Sequence, residues 1–297
     1  MSRALISLDG LSDVEKQQFK QLTSAPTLSK PTIAMTVALV LTYGFSYVAC
    51  GMGHLPLWVG TILNAIIGYV SFSVIHDSIH RAVSTNTKVN DRVGQTGLDL
   101  VLPYVDLRMF RWAHILHHRF ASGERDPDKA FNGAWWTLPF RWMAIDACYF
   151  VYALKHGDKV ARPFLNACLR RLAVVVAVIG VLTYFGYGLE VFMLWFLPSR
   201  LILLFLGFSF FWLPHVPHDV SQEENYTRAT TVRKGMEWFM NPVLQYQNYH
   251  LIHHLYPMTP FYNNEKVFRL LESELNNHDL AVQHGMAIRP TIYPANR

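Results

Sequence analysis

Long uncharged runs alternate with polar stretches along this chain. Residues 32–50 (TIAMTVALVLTYGFSYVAC) and 55–75 (LPLWVGTILNAIIGYVSFSVI) contain no charged side chain. A helix rises 1.5 Å per residue, so roughly 20 apolar residues cross a hydrocarbon core of about 30 Å. Both runs therefore predict membrane-spanning helices. Residues 172–187 form a shorter, Val-rich run. Residues 191–213 follow after only Gly188, Leu189 and Glu190 and are interrupted by Pro198, Ser199 and Arg200. These predict a third and a fourth span. The expected fold is an all-α integral membrane protein: four transmembrane helices with a cytosolic helical cap. Residues 1–31 are expected as an N-terminal cytosolic segment, 32–262 as the membrane domain and 263–297 as a C-terminal helix and tail.

Shorter patterns fill in the rest. Ser12 followed by Glu15 has the spacing of a capping box and predicts a short helix. Residues 264–277 (NEKVFRLLESELNN) place Val267, Leu270, Leu271 and Leu275 along one helical face. Residues 135–150 (WWTLPFRWMAIDACYF) are aromatic but hold Arg141 and Asp146, which suits an interfacial segment at headgroup level. Residues 1–31 lack an apolar signal-peptide core and cleavage site, so the first span is expected to act as the insertion signal.

Composition agrees with lipid-buried surface. The chain is 51% hydrophobic and only 16% charged, against roughly 25% charged in ordinary soluble domains. Its charge is also lopsided in the way that the positive-inside rule requires. Lys and Arg number 4 in residues 1–31, 14 in residues 76–171 and 7 from residue 214 onward, while the turns 51–54 and 188–190 carry none. Both termini and the large polar segments are thus expected in the cytosol. The net charge of +5 follows from that rule and from contact with anionic lipid, so no nucleic-acid partner is implied. Cys50, Cys148 and Cys168 are scattered and indicate neither a disulfide framework nor a thiolate metal site.

Three histidine clusters carry the candidate chemistry. They are His76 and His80 in HDSIH, His114, His117 and His118 in HILHHRF, and His250, His253 and His254 in HLIHHLYP. Histidines at i, i+3 and i+4 share one helical face, and neutral imidazole is the commonest nitrogen ligand for a transition metal. Lone histidines such as His54, His156, His278 and His284 need no such reading. Eight nitrogens exceed what one tetrahedral zinc uses but suit two metals of coordination number five or six. In the four-span topology all three clusters fall on the same membrane side.

These boxes, HxxxH and two HxxHH motifs beyond transmembrane helices, resemble the membrane fatty acid desaturase/hydroxylase superfamily over roughly residues 70–262. The segments FWLPHVP, QNYHLIHHLYP and ERDPD look most like the branch of β-carotene hydroxylase type. The resemblance implies a di-iron centre that uses O2 to attack an unactivated C–H bond of a long apolar lipid, with hydroxylation of a carotenoid ring as the expected reaction. Acyl-chain desaturation within the same superfamily is the alternative. It also implies a further ligand just after the last span, His215, with His218 as competitor. The metal set then comprises His76, His80, His114, His117, His118, His215, His250, His253 and His254. Asp77, Asp126 and Asn248 are the candidates for orienting those ligands, with Gln247 and Asn248 also placed to reach a metal-bound water. No cytochrome b5 motif, CxxC rubredoxin site or GxGxxG fingerprint is present in the sequence. Electrons are therefore expected from a separate ferredoxin- or cytochrome b5-like donor.

Other chemistries fit less well. An intramembrane zinc hydrolase needs HExxH with Glu as general base, whereas Asp77 occupies that position here and two clusters would stand idle. A membrane protein with a purely structural metal predicts that ligand loss unfolds the chain. A bis-His haem protein would carry its ligands within the spans.

Overall fold

The computed structural model describes residues 6–295, which form two compact units. One comprises Thr27–His114 and Ala130–Gly207; the other comprises residues 6–26, Ile115–Lys129 and residues 208–295.

The first unit is helical. Its elements are α2 (Lys30–Gly51), α3 (Leu57–Ile79), α4 (Thr87–Asp99), the first part of α5 (Leu107–Phe120), α6 (Leu138–Met143), α7 (Ile145–His156), α8 (Ala161–Tyr184), α9 (Gly188–Val191) and α10 (Leu197–Leu206). Among the described residues, four helices are long and apolar enough to cross a membrane: α2, α3, α8 and the segment Gly188–His215 that contains α9 and α10. The expected spans are thus present, the third beginning earlier than the apolar run because α8 includes Arg162, Arg170 and Arg171. Arg171 is tied down by donating to Pro103 O at 2.9 Å and pairing with Asp99.

Pro198 explains the irregular fourth span. Proline has no N–H to give the carbonyl four residues earlier. Here the Leu194 carbonyl instead accepts from Tyr47 Oη at 3.1 Å and Asn64 Nδ2 at 2.8 Å, while Met193 O accepts from Thr61 Oγ1 at 2.6 Å. The backbone widens into a π-helical turn over Phe192–Phe196, and a second one follows at Gly207–Trp212. Such turns recur at functional sites.

Arg200, the one charge within an apolar run, is paired. It donates to Asp146 through both terminal nitrogens, at 3.1 and 2.8 Å, and to the Met143 carbonyl at 2.8 Å. Tyr104 closes the cluster by a hydrogen bond to the same carboxylate. Helices α3 and α4 approach closely through glycine: a Cβ on Gly94 would lie 2.3 Å from Ser78 Cβ.

The second unit holds α1 (Asp13–Thr23), the end of α5, α11 (Glu237–Val243), α12 (His250–Leu255) and α13 (Asn264–Leu275). Ser12 and Glu15 form the expected capping box on α1. Val267, Leu271 and Leu275 of α13 are buried in a core with Phe19, Leu251, Ile252 and Val282, and Leu270 packs against it. The all-α expectation is corrected here. A three-stranded sheet of β1 (Thr231–Lys234), β2 (Leu280–His284) and β3 (Thr291–Tyr293) belongs to this unit. β1 runs parallel to β2 with Val232 opposite Val282, and β3 is antiparallel with Ile292 opposite Ala281. Strands of three to five residues are too short to show period-two alternation, and β1 is buried along most of its length rather than on alternate residues.

Candidate metal centre

In the first unit, the last turn of α3 projects His76, and His80 caps that helix four residues on. Helix α5 presents His114. The three rings meet edge to face at centroid separations of 4.9 to 5.2 Å. Their ligand nitrogens all lie within 4.8 Å of one another. His76 and His114 are buried. Phe72 stacks on His76 at 5.7 Å and Phe110 lies against His114 at 5.9 Å, so the trio has an apolar aromatic wall.

In the second unit, α5 contributes His117, α12 contributes His250 and His254, and His215 comes from the 3₁₀ turn that ends the fourth span. All four are buried, and their ligand nitrogens lie within 4.8 Å of one another. His250 Nε2 is 3.1 Å from both His215 Nε2 and His254 Nε2. His118 stacks on His254 at 4.1 Å and meets His253 edge to face at 4.5 Å.

Partners on the far side of each ring decide what those nitrogens can do. His215 Nδ1 faces the Ala229 carbonyl at 3.2 Å, so it is the N–H and Nε2 carries the lone pair. His250 Nδ1 faces Gln247 Oε1 at 2.6 Å, with the same result. His117 Nδ1 lies 3.0 Å from Asp126 Oδ1 and 3.2 Å from Asp128 Oδ2. The lone pairs of His215 and His250 therefore face each other, 3.1 Å apart, where two acceptors cannot hydrogen-bond to one another. A cation at their focus resolves this, so the donor set fits a transition metal with its ligands oriented from behind.

The electrostatics agree. Burial disfavours the charged form of His117, but Asp128 and Asp126 outweigh it and lift the pKa to about 9. A ring that holds a proton so firmly sits where positive charge is stabilised. His254 is pushed well below the ordinary histidine range by burial and by the neighbouring imidazoles His118, His250, His117 and His215.

Of the candidate orienting residues, Asp126 contacts a ring directly. It is itself fixed by the backbone N–H groups of Ser122 and Asp128, at 2.8 and 2.9 Å. Asn248 donates to Asn241 Oδ1 at 2.7 Å. Asp77 is buried between His76 and His80, its carbonyl accepting from Ala82 N–H at 2.8 Å. His218 belongs to none of the ligand groups among the described residues. It has a left-handed backbone (φ 65°), and its ring centroid is 6.3 Å from that of His215. Burial pushes its pKa down to about 4. Sequence reasoning missed the pairing of Gln247 with His250 and the Ala229 carbonyl. The first follows from the i, i+3 spacing of QNYH, whereas the second has no sequence signature.

The sequence profile described as fatty acid desaturase matches residues 52–285. Similar proteins include a β-carotene ketolase from a Paracoccus species, 28% identical over 194 residues, covering 64% of this chain and 70% of the ketolase. A β-carotene ketolase from a second Paracoccus strain is 25% identical over 193 residues, with the same coverage. A chloroplastic omega-6 fatty acid desaturase from Glycine max is 26% identical over 260 residues, 73% of this chain and 56% of that protein.

Proposed function

Because this chain belongs to the fatty acid desaturase family, an oxidoreductase family, we propose that it is a membrane-bound, O2-dependent di-iron enzyme that oxygenates a carotenoid ring. The observation that carries the metal reading is the face-to-face approach of His215 Nε2 and His250 Nε2 within the buried group of His117, His215, His250 and His254. One iron is assigned to His117, His215, His250 and His254, and the other to His76, His80 and His114, with His118 and His253 completing the nine ligands. Imidazoles in this number suit iron with open positions better than four-coordinate zinc.

Bound iron supplies the redox chemistry by which O2 and two external electrons oxidise an unactivated C–H bond. For hydroxylation, one O2, two electrons and two protons convert C–H to C–OH and release one water. For desaturation, the same inputs remove two hydrogens from adjacent carbons and release two waters. The chain's own residues set the conditions. Asp126, Asp128, Gln247 and the Ala229 carbonyl hold the Nδ1 protons of their rings and aim the Nε2 lone pairs. Burial of the ligands keeps bulk water away, and the Phe72 and Phe110 wall is apolar, as a hydrocarbon substrate requires.

The β-carotene ketolase relatives support this substrate class, as does the membrane setting, where a molecule arriving from the bilayer is long and apolar. Acyl-chain desaturation is the second reading, favoured by the omega-6 desaturase relative. Electrons are assigned to a separate ferredoxin- or cytochrome b5-like donor, with the site and both termini in the cytosol. The test is expression in a host that makes β-carotene, with lipid profiling under 18O2. Label in a ring hydroxyl or ketone supports the proposal; a new double bond in acyl chains replaces it with the second reading. His117→Ala and His253→Ala should abolish product while the protein remains in the membrane. Loss of the protein itself would point to a structural metal.

A further inference from the structure

The chain after the fourth span returns to the level of that span's end. Met240 of α11 and Leu244 just after it pack onto Leu213, with Phe208 and Trp212 against the same cluster, and these last three belong to the last turns of the Gly188–His215 span. A second tie reaches the same point from β2. Buried Gln283 donates through Nε2 to Leu213 O at 3.0 Å and to Ile288 O at 2.6 Å, so one nitrogen joins the span to the loop after β2. Arg233, also buried, fixes that loop by donating to the carbonyls of Gly285 and Ala287 at 2.5 and 2.9 Å and to Gln283 Oε1 at 2.7 Å. Gly285 N–H donates to Lys234 O at 2.8 Å, which brings the loop beside the turn that precedes α11.

Both pinned segments turn large apolar side chains outward. Trp238 is 81% exposed and Met286 68%, and Met236, Phe239, Val243 and Ile288 are exposed with them. The one carboxylate among them, Glu237, is turned back onto the Gly235 N–H at 2.7 Å. Exposed Arg289 follows Ile288 directly. Outward apolar groups held rigidly on a polar unit mark an interaction surface. Their attachment to the end of a span sets their depth, and tryptophan with a flanking arginine is the chemistry of the headgroup boundary.

We infer that α11 and the 285–288 loop form a lipid-contacting foot, inserted into the interfacial layer of the bilayer beside the end of the fourth span. The inference goes beyond the proposed reaction and rests on the span alone, so it stands or falls independently of the metal and substrate.

Nitroxide accessibility in the full chain tests it, in phosphatidylcholine and phosphatidylglycerol vesicles. Met286→Cys and Trp238→Cys are labelled separately, with labelled unsubstituted protein as background for Cys50, Cys148 and Cys168. Val178→Cys on the exposed face of α8 gives the lipid reference and Asn277→Cys the aqueous one. The foot predicts that both labels collide with O2 in preference to a water-soluble nickel chelate, shifted toward the Val178 value. Chelate collision at the Asn277 level overturns the inference and leaves a face open to water or to a soluble protein. An aqueous reading at Val178 removes the membrane setting, and the foot with it.

Discussion

His215 and His250 point their Nε2 atoms at each other across 3.1 Å, while the Nδ1 of each already donates to an oxygen, the Ala229 carbonyl and Gln247 Oε1. Two lone pairs held face to face in a buried site repel, and a proton or a metal ion between them removes the repulsion. The oxygens behind the rings are therefore as much a part of the centre as the nitrogens. Replacing Gln247 by Leu, or Asp126 and Asp128 together by Ala, should lower metal affinity about 10- to 100-fold. Chelator competition on purified protein measures this; unchanged affinity in both variants would show that ring orientation does not depend on those groups.

Gln283→Leu should weaken the same centre from a distance. The change removes the donor to Leu213 O, two residues before His215, and the acceptor for Arg233. Leu213 O keeps the Val216 N–H and Arg233 keeps the carbonyls of Gly285 and Ala287, so each lost hydrogen bond costs about 0.5–1.5 kcal/mol. The expected outcome is a lower melting temperature together with faster iron loss to chelator. A melting shift with unaltered metal retention would limit Gln283 to the fold.

The Arg200 and Asp146 pair makes a separate prediction within the helical unit. Asp146→Ala strands a guanidinium that is largely buried, at a cost of about 3 kcal/mol. Arg200→Met with Asp146→Ala removes both charges and should restore most of that loss. Thermal unfolding in detergent compares them, and equal melting of the single and double variants would refute the pairing argument.

Gly94→Val tests the close approach of α3 and α4. The new side chain meets Ser78 Cβ at 2.3 Å and Leu107 Cδ2 at 2.8 Å, and the first of these cannot swing aside. Overpacking of this kind costs about 1–3 kcal/mol. Because Ser78 lies between His76 and His80, the variant should also retain less metal. A melting temperature equal to that of the unsubstituted protein would mean that the two helices part freely.

Much of this was legible in the residues, and for identifiable reasons. Uncharged runs must be helical in lipid, since no other open element satisfies its backbone there; hence the four spans. Helical spacing brought the histidines of each box onto one face. What escaped was set by contacts distant in sequence. The strands at Thr231–Lys234 and Leu280–His284 pair across some 50 residues, and neither shows a period of its own. The Ala229 carbonyl reaches His215 only because β1 folds back beside the span's end, and a backbone oxygen leaves no mark in a sequence. Pro198 read as an interruption, yet Tyr47 and Asn64 satisfy the carbonyl it cannot and the span continues.

The most direct measurement is the metal content of the full-length protein purified anaerobically in mild detergent, determined by mass spectrometry alongside the His250→Ala variant. Two histidine ligand sets predict close to two iron per chain, falling toward one in the variant. A single zinc with no iron, unchanged by His250→Ala, would contradict the account.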